Sequence, residues 1–160
     1  MSTEQELLKQ RLKKIEERIQ AACDRANRKR EEVKIVAVTK YVGAKTIGDL
    51  LDIGIEHIGE NRLQDALPKY EQYGDRGTWH FIGHLQTNKA KDVVGRFSYV
   101  HSLDRLSLAQ ELNKRAAAAG QVIPCFLQVN ISGEKTKFGL RPDDVLAFLR
   151  ETSNMKHIKI

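Results

Sequence analysis

The sequence predicts an α/β fold, a (β/α)8 barrel of the TIM type in which about six of the eight strands are present. Two observations carry this. Strand-like and helix-like segments alternate strictly along the chain, which argues for parallel strands with helices outside. The unusual polar residues Lys40, Asn61, His84 and Asn130 then fall at the C-terminal ends of successive strand candidates, where a barrel gathers its chemistry. The competing architecture, a doubly wound open sheet, would carry a glycine-rich phosphate turn after its first strand. Here that turn reads Lys40-Tyr41-Val42-Gly43, so the barrel is favoured.

Residues 3–30 form an amphipathic helix. Leu8, Leu12, Ile15, Ile19, Ala22, Cys23 and Ala26 recur at three- and four-residue steps, and the stripe needs a surface to pack on. Ser2 and Thr3, each followed three residues later by Gln5 and Glu6, offer a capping box. The run 33–39 reads as a strand buried on both faces, because its apolar residues are β-branched or small. A helix near 44–53 stops at Gly54, and a short strand covers 55–58. Residues 61–73 are helical, and Gly74 and Gly77 bracket a turn before strand 78–82. Helix 86–94 and strand 97–101 follow. Helix 104–119 is capped by Ser102 or Asp104 and closed by Gly120. Strand 122–130, a helix at 142–152 opened by Pro142, and a strand from 157 complete the series, so residues 1–160 read as one partial barrel domain.

Composition narrows the function. At 160 residues, 41% hydrophobic and 30% charged, the chain can bury a core and is not a disordered segment. No apolar run approaches the roughly 20 residues of a membrane span, and the first residues lack the apolar core of a signal peptide, so a cytoplasmic location is expected. The net charge of +6 is concentrated in the first thirty residues, where both signs alternate and no aromatic platform occurs. Such a helix is a solvated face laced with i,i+4 pairs, and neither nucleic acid nor a membrane is expected as a partner. Cys23 and Cys125 are far apart and read as reduced core residues.

The chemistry is concentrated in four segments. Lys40 ends Ala37-Val38-Thr39-Lys40; a cation beside an apolar strand either snorkels to solvent or is an amine put to covalent use. In Ile58-Gly59-Glu60-Asn61-Arg62-Leu63-Gln64, Gly59 allows close backbone approach, and Asn61 also suits a helix cap. The third segment runs from Trp79 to Lys89. Its His80 and His84 have a metal-like spacing only on a helix, and here a strand and Gly83 intervene, so His80 reads as a hydrogen-bonded histidine in or beneath the site. The fourth runs from Gln128 to Gly139, with Asn130 at the strand end and a charged loop after it.

Together these segments resemble the pyridoxal phosphate (PLP) homeostasis proteins, the single-domain relatives of the alanine racemase N-terminal barrel. The motifs are V-T-K, G-E-N-x-x-Q, W-H-F-I-G-H-L-Q-x-N-K and V-N-I-S-G-E-x-x-K-F-G, and the likeness extends from about residue 5 to the end. The resemblance implies a fold-type III PLP barrel in which Lys40 forms a Schiff base with the cofactor. It places Asn61, His80 and Asn130 at motif positions around that cofactor. It further implies cofactor homeostasis or carriage without established turnover, in a protein that is a monomer at full length; a PLP-dependent amino-acid racemase is the alternative. An unprotonated amine must attack the aldehyde, and a lysine beside an apolar strand loses its proton more readily than a solvated one.

The serine- and glycine-containing segment and the R-I-G motif that grip phosphate near the C-terminus of that family are not found in this sequence. The chain therefore reads as C-terminally truncated. Alone it is expected to hold PLP weakly and to associate through exposed strand edges.

Overall fold

The computed structural model describes all of residues 1–160. Helix α1 (Thr3–Arg25) begins at Ser2, whose side chain caps Gln5 N–H while the Gln5 side chain caps Ser2 N–H, the capping box the sequence offered. It ends five residues earlier than expected. Asn27 takes a left-handed conformation with φ of 52°, Asn27 N–H donates to the Asp24 carbonyl and Arg28 N–H to that of Cys23. These are the paired bonds of a Schellman stop, made here by asparagine instead of glycine. A turn of 3-10 helix at Arg30–Glu32 then leads into the sheet.

Six strands form one sheet in sequence order, each neighbour parallel: β1 (Val36–Val38), β2 (His57–Glu60), β3 (Thr78–Phe81), β4 (Tyr99–Leu103), β5 (Ile123–Leu127) and β6 (Ile158–Lys159). Between them run α2 (Ala44–Asp52), α3 (Leu63–Tyr73), α4 (Ala90–Val93), α5 (Leu106–Ala118) and α6 (Val145–Thr152). Sequential order with helical crossovers is the winding of a β/α barrel, as expected, rather than that of a doubly wound sheet. Six strands are present and the sheet is open, with β1 and β6 at its edges.

The core lies between the sheet and its helices. Ile58, Trp79, Phe81, Val100 and Cys125 point outward from successive strands and pack on Ile47, Ala66, Leu108 and Leu112. Tyr70, Trp79, Phe81 and Phe97 meet edge to face or stacked, with centroids 5.4–6.3 Å apart. Cys23 and Cys125 are both buried and unbridged, as read from the sequence, and burial pushes the Cys125 thiol up to about 12. Helix α1 lies against the first βα unit: Leu12 packs on the core, Arg30 pairs with Glu16, and Lys45 reaches Glu4. No helix is long and apolar enough to cross a membrane.

Three local expectations are corrected. Strand β1 is not buried on both faces: it is an edge strand of an open sheet, and Val38 is 55% exposed. It is also shorter than 33–39, because β2 offers partners only from His57, opposite Val36. Helix α5 is not capped by Ser102 or Asp104; Arg105 is its N-cap, Ser102 is buried in β4, and Asp104 accepts from Arg105 and from Gly139 N–H.

Candidate functional site

Alternation along the strands divides the sheet into two faces. Ala37, Ile58, Trp79, Phe81, Val100 and Cys125 face the helices, while Val38, Gly59, His80 and Tyr99 lie in register on the inner, concave face. Thr39 N–H donates to the Gly59 carbonyl at 3.0 Å, which carries the ladder one residue past β1. Lys40 therefore leaves the strand on the side of Val38. Its Nζ lies 4.9 Å from the centroid of the Tyr41 ring, and no carboxylate pairs with it.

Beneath Lys40 the inner face carries a row of histidines. His57 Nδ1 and His80 Nε2 are 2.9 Å apart, and His80 Nδ1 is 2.9 Å from His101 Nε2. The His80 ring stacks on Tyr99 at 4.5 Å with the planes 5° apart. Burial lowers all three, and His80, between two other histidines and near Lys34, is lowered to about 4. A neutral imidazole has one donor and one acceptor nitrogen, so His80 donates to one neighbour and accepts from the other. This fits the sequence expectation of a hydrogen-bonded histidine, and adds His57, Tyr99 and His101, which that reading missed.

Asn61 follows β2 directly. Gly83 sits against it: a Cβ there would overlap the Asn61 carbonyl oxygen and lie 2.8 Å from its Cγ. The close approach expected at Gly59 is thus made at Gly83, since a Cβ on Gly59 would meet side-chain atoms of Val36 and Ile82 at 3.1 and 3.3 Å. Asn61 is not the cap of α3, which is Arg62. With Arg62, Gln64, His84, Gln86 and Lys89 it lines a cavity of about 260 Å³ at the C-terminal ends of β2 and β3.

Asn130 turns inward on its own loop. Its Nδ2 donates to the carbonyls of Glu134 and Lys137, and its Oδ1 accepts from Ser132 Oγ and Gly133 N–H. That loop brings Phe138 onto His84, ring on ring at 3.8 Å. By strand alternation Lys40, Asn61 and His80 fall on the inner side, but neither Lys40 nor His80 lines the cavity beside Asn61, and the Asn130 amide is spent on loop shape.

On the helix side of the same strand ends lies a group the sequence reading missed. Glu60 Oε1 accepts from Thr39 Oγ1 and Lys69 Nζ, each at 2.7 Å, and Lys69 Nζ also donates to the Thr39 carbonyl at 2.9 Å. All three residues are buried. The signal was Lys69 itself, which falls on the apolar stripe of α3 with Leu63, Ala66, Tyr70 and Tyr73.

The parallel sheet with its helical crossovers falls in the class of the alanine racemase N-terminal domain, whose family model matches residues 10–160. Alanine racemase of Clostridium difficile shares that fold at a TM-score of 0.66 and 17% identity, over 81% of this chain and 35% of the racemase. Within this class, the chain belongs to the pyridoxal phosphate homeostasis protein family. It is 40% identical to the Aquifex aeolicus member over 94% of its length, and 35% identical to that of Pseudomonas aeruginosa over 92%. It spans 67% and 64% of those two proteins, about two thirds of each. PipY of Synechococcus elongatus, solved with PLP bound, superposes with a TM-score of 0.76 at 31% identity, over 89% of this chain and 66% of PipY.

Proposed function

We propose that this chain binds pyridoxal 5'-phosphate through a Schiff base on Lys40 and serves cytoplasmic cofactor homeostasis or carriage, with no turnover assigned to it. Residues 1–160 are read as one partial barrel domain with the N-terminal helix packed on it. The observation that carries the proposal is the setting of Lys40: a half-buried amine at the C-terminal end of β1, on the inner face, with no carboxylate paired to it. The PLP-bound PipY structure supports it.

The residues present suit the aldehyde and ring of that cofactor. When bound, PLP supplies a carbonyl for the amine and an electron-withdrawing ring. Lys40 offers the amine, and the strand fixes its direction of approach. His80 stays neutral near pH 7, so it offers hydrogen bonds without adding charge beneath the site. Asn61 and Asn130 are proposed as further cofactor-binding residues, Asn130 through the loop that its amide organises. The racemase reading has only the shared fold behind it.

Trapping tests the proposal. The protein is incubated with PLP, reduced with borohydride and mapped by mass spectrometry. One label on Lys40, absent from Lys40→Ala, is expected. Label spread over surface lysines without preference for Lys40 would overturn the reading.

A further inference from the structure

Lys40 is preceded by a carbonyl on which two donors converge. The Thr39 oxygen accepts from Lys69 Nζ at 2.9 Å and from Val42 N–H at 3.2 Å, so it both closes the turn Thr39–Val42 and is clamped from α3. On the same residue the hydroxyl donates to Glu60 Oε1, and the backbone N–H donates to Gly59. Every polar group of Thr39 is thus held, by β2 on one side and α3 on the other. The peptide bond that joins Thr39 to Lys40 has little freedom left.

The groups that do this are costly to keep. Glu60 is fully buried and Lys69 nearly so, and a buried ion pair seldom stabilises a fold more than apolar side chains of similar volume would. Glu60 uses only one of its oxygens: Oε2 is buried without a hydrogen-bond partner. Stability alone therefore gives little reason for the pair. Its position supplies one, because it lies on the helix side of the sheet, directly behind the residue that presents the amine to the inner face.

We propose that Glu60 and Lys69 are positioning residues for Lys40, a buried ion pair that locks the Thr39–Lys40 peptide and so aims the Lys40 amine at an incoming carbonyl. This rests on the reading of Lys40 as the covalent lysine. Neither residue touches the cofactor; both act through the backbone of Thr39. Misplacing a reacting group by about 1 Å can cost on the order of a hundredfold in reactivity, and releasing this carbonyl frees the backbone on that scale.

The test is the share of borohydride-fixed PLP label found on Lys40, relative to all other lysines, with thermal melting as a control for folding. The double variant Glu60→Gln/Lys69→Met removes both charges and leaves no unpaired ion. It should melt cooperatively while the Lys40 share falls between about tenfold and a hundredfold. Lys69→Arg, which can still donate to both Thr39 and Glu60, should recover most of that share, a rescue that a merely space-filling role would not require. If the double variant does not fold, Thr39→Val removes the hydroxyl bond alone and should lower the share about twofold to threefold. An unchanged Lys40 share in the folded double variant, or in Thr39→Val where the double variant does not fold, overturns the positioning role and leaves the Schiff-base reading intact. Absence of label on Lys40 in the unmodified protein overturns both.

Discussion

His57 Nδ1 and His80 Nε2 face each other at 2.9 Å, and His80 is bonded at the same distance to His101 on its other side. Three adjacent strands thus share one chain of imidazoles on the inner face. Such a chain tolerates no charge easily. A proton added to His80 would turn both ring nitrogens into donors and bring a cation between two other histidines, near Lys34.

This relationship predicts an acid-sensitive fold. Burial above all, and then the flanking histidines, lower His80 to about 4, against 6.5 for a free imidazole. The unfolded chain therefore binds more protons between those values. The contribution of His80 is fully present above about pH 6.5 and is lost as pH falls through about 4. The shift corresponds to about 3 kcal/mol unscreened, and solvent screening reduces the expected loss to about 2 kcal/mol. Melting temperature measured from pH 4 to 8 should fall on the acid side, and His80→Phe should flatten that slope. An identical slope in the variant would exclude His80 as its source.

Gly83→Ala should be severe for a different reason. The space a Cβ needs is filled by the carbonyl and side chain of Asn61, part of the backbone leaving β2, so neither can move without distorting the strand end. Overpacking against backbone should cost about 2–4 kcal/mol in a urea titration. Gly43→Ala, where nothing lies within 4 Å of the new Cβ, is the matched control and should cost at most about 1 kcal/mol, the loss of a glycine N-cap on α2.

The order of strands and helices was legible because the punctuation is local. Gly54, Gly77 and Gly120 have φ of 101°, 72° and 63°, conformations that a single residue type announces. The length of β1 was not legible, since Val33 and Ile35 are as strand-like as Val36, yet only residues opposite β2 enter the ladder. Lys40, Asn61 and His80 could be read from motifs, each complete within one segment. The histidine chain and the Thr39–Glu60–Lys69 cluster could not, because each joins three elements. His57, His80 and His101 become neighbours only once the strand register is known. Asn130 is not at a strand end as expected: β5 stops at Leu127, three residues earlier, and the bonds of Asn130 to its loop depend on a fold-back over the next seven residues that no periodicity encodes.

Asn130→Ala should release that loop. Four hydrogen bonds converge on the Asn130 amide, two donated and two accepted, and alanine replaces none of them. Lys135 and Lys137 are exposed on the same loop, so trypsin reports its opening directly. Cleavage after these lysines should accelerate at least about fivefold, corresponding to roughly 1 kcal/mol of lost loop stability. The global melting temperature should move little, because the loop adds nothing to the buried core. Unchanged cleavage would mean that the His84–Phe138 stack and the bond from Gly139 N–H to the Asp104 carboxylate hold the loop without Asn130.

The buried ion pair makes a separate prediction about stability. Lys69→Met alone strands the Glu60 carboxylate at 0% exposure, with Thr39 Oγ1 as its remaining partner. Removing one member of a buried pair should cost about 3–5 kcal/mol, because the remaining charge is left buried and uncompensated. Adding Glu60→Gln removes the charge, and Gln can still accept from the Thr39 hydroxyl. The double variant should therefore be more stable than Lys69→Met, with a coupling of about 1–3 kcal/mol in a double-mutant cycle. Additive losses, with no coupling between the two substitutions, would mean that Glu60 and Lys69 do not stabilise each other as a pair.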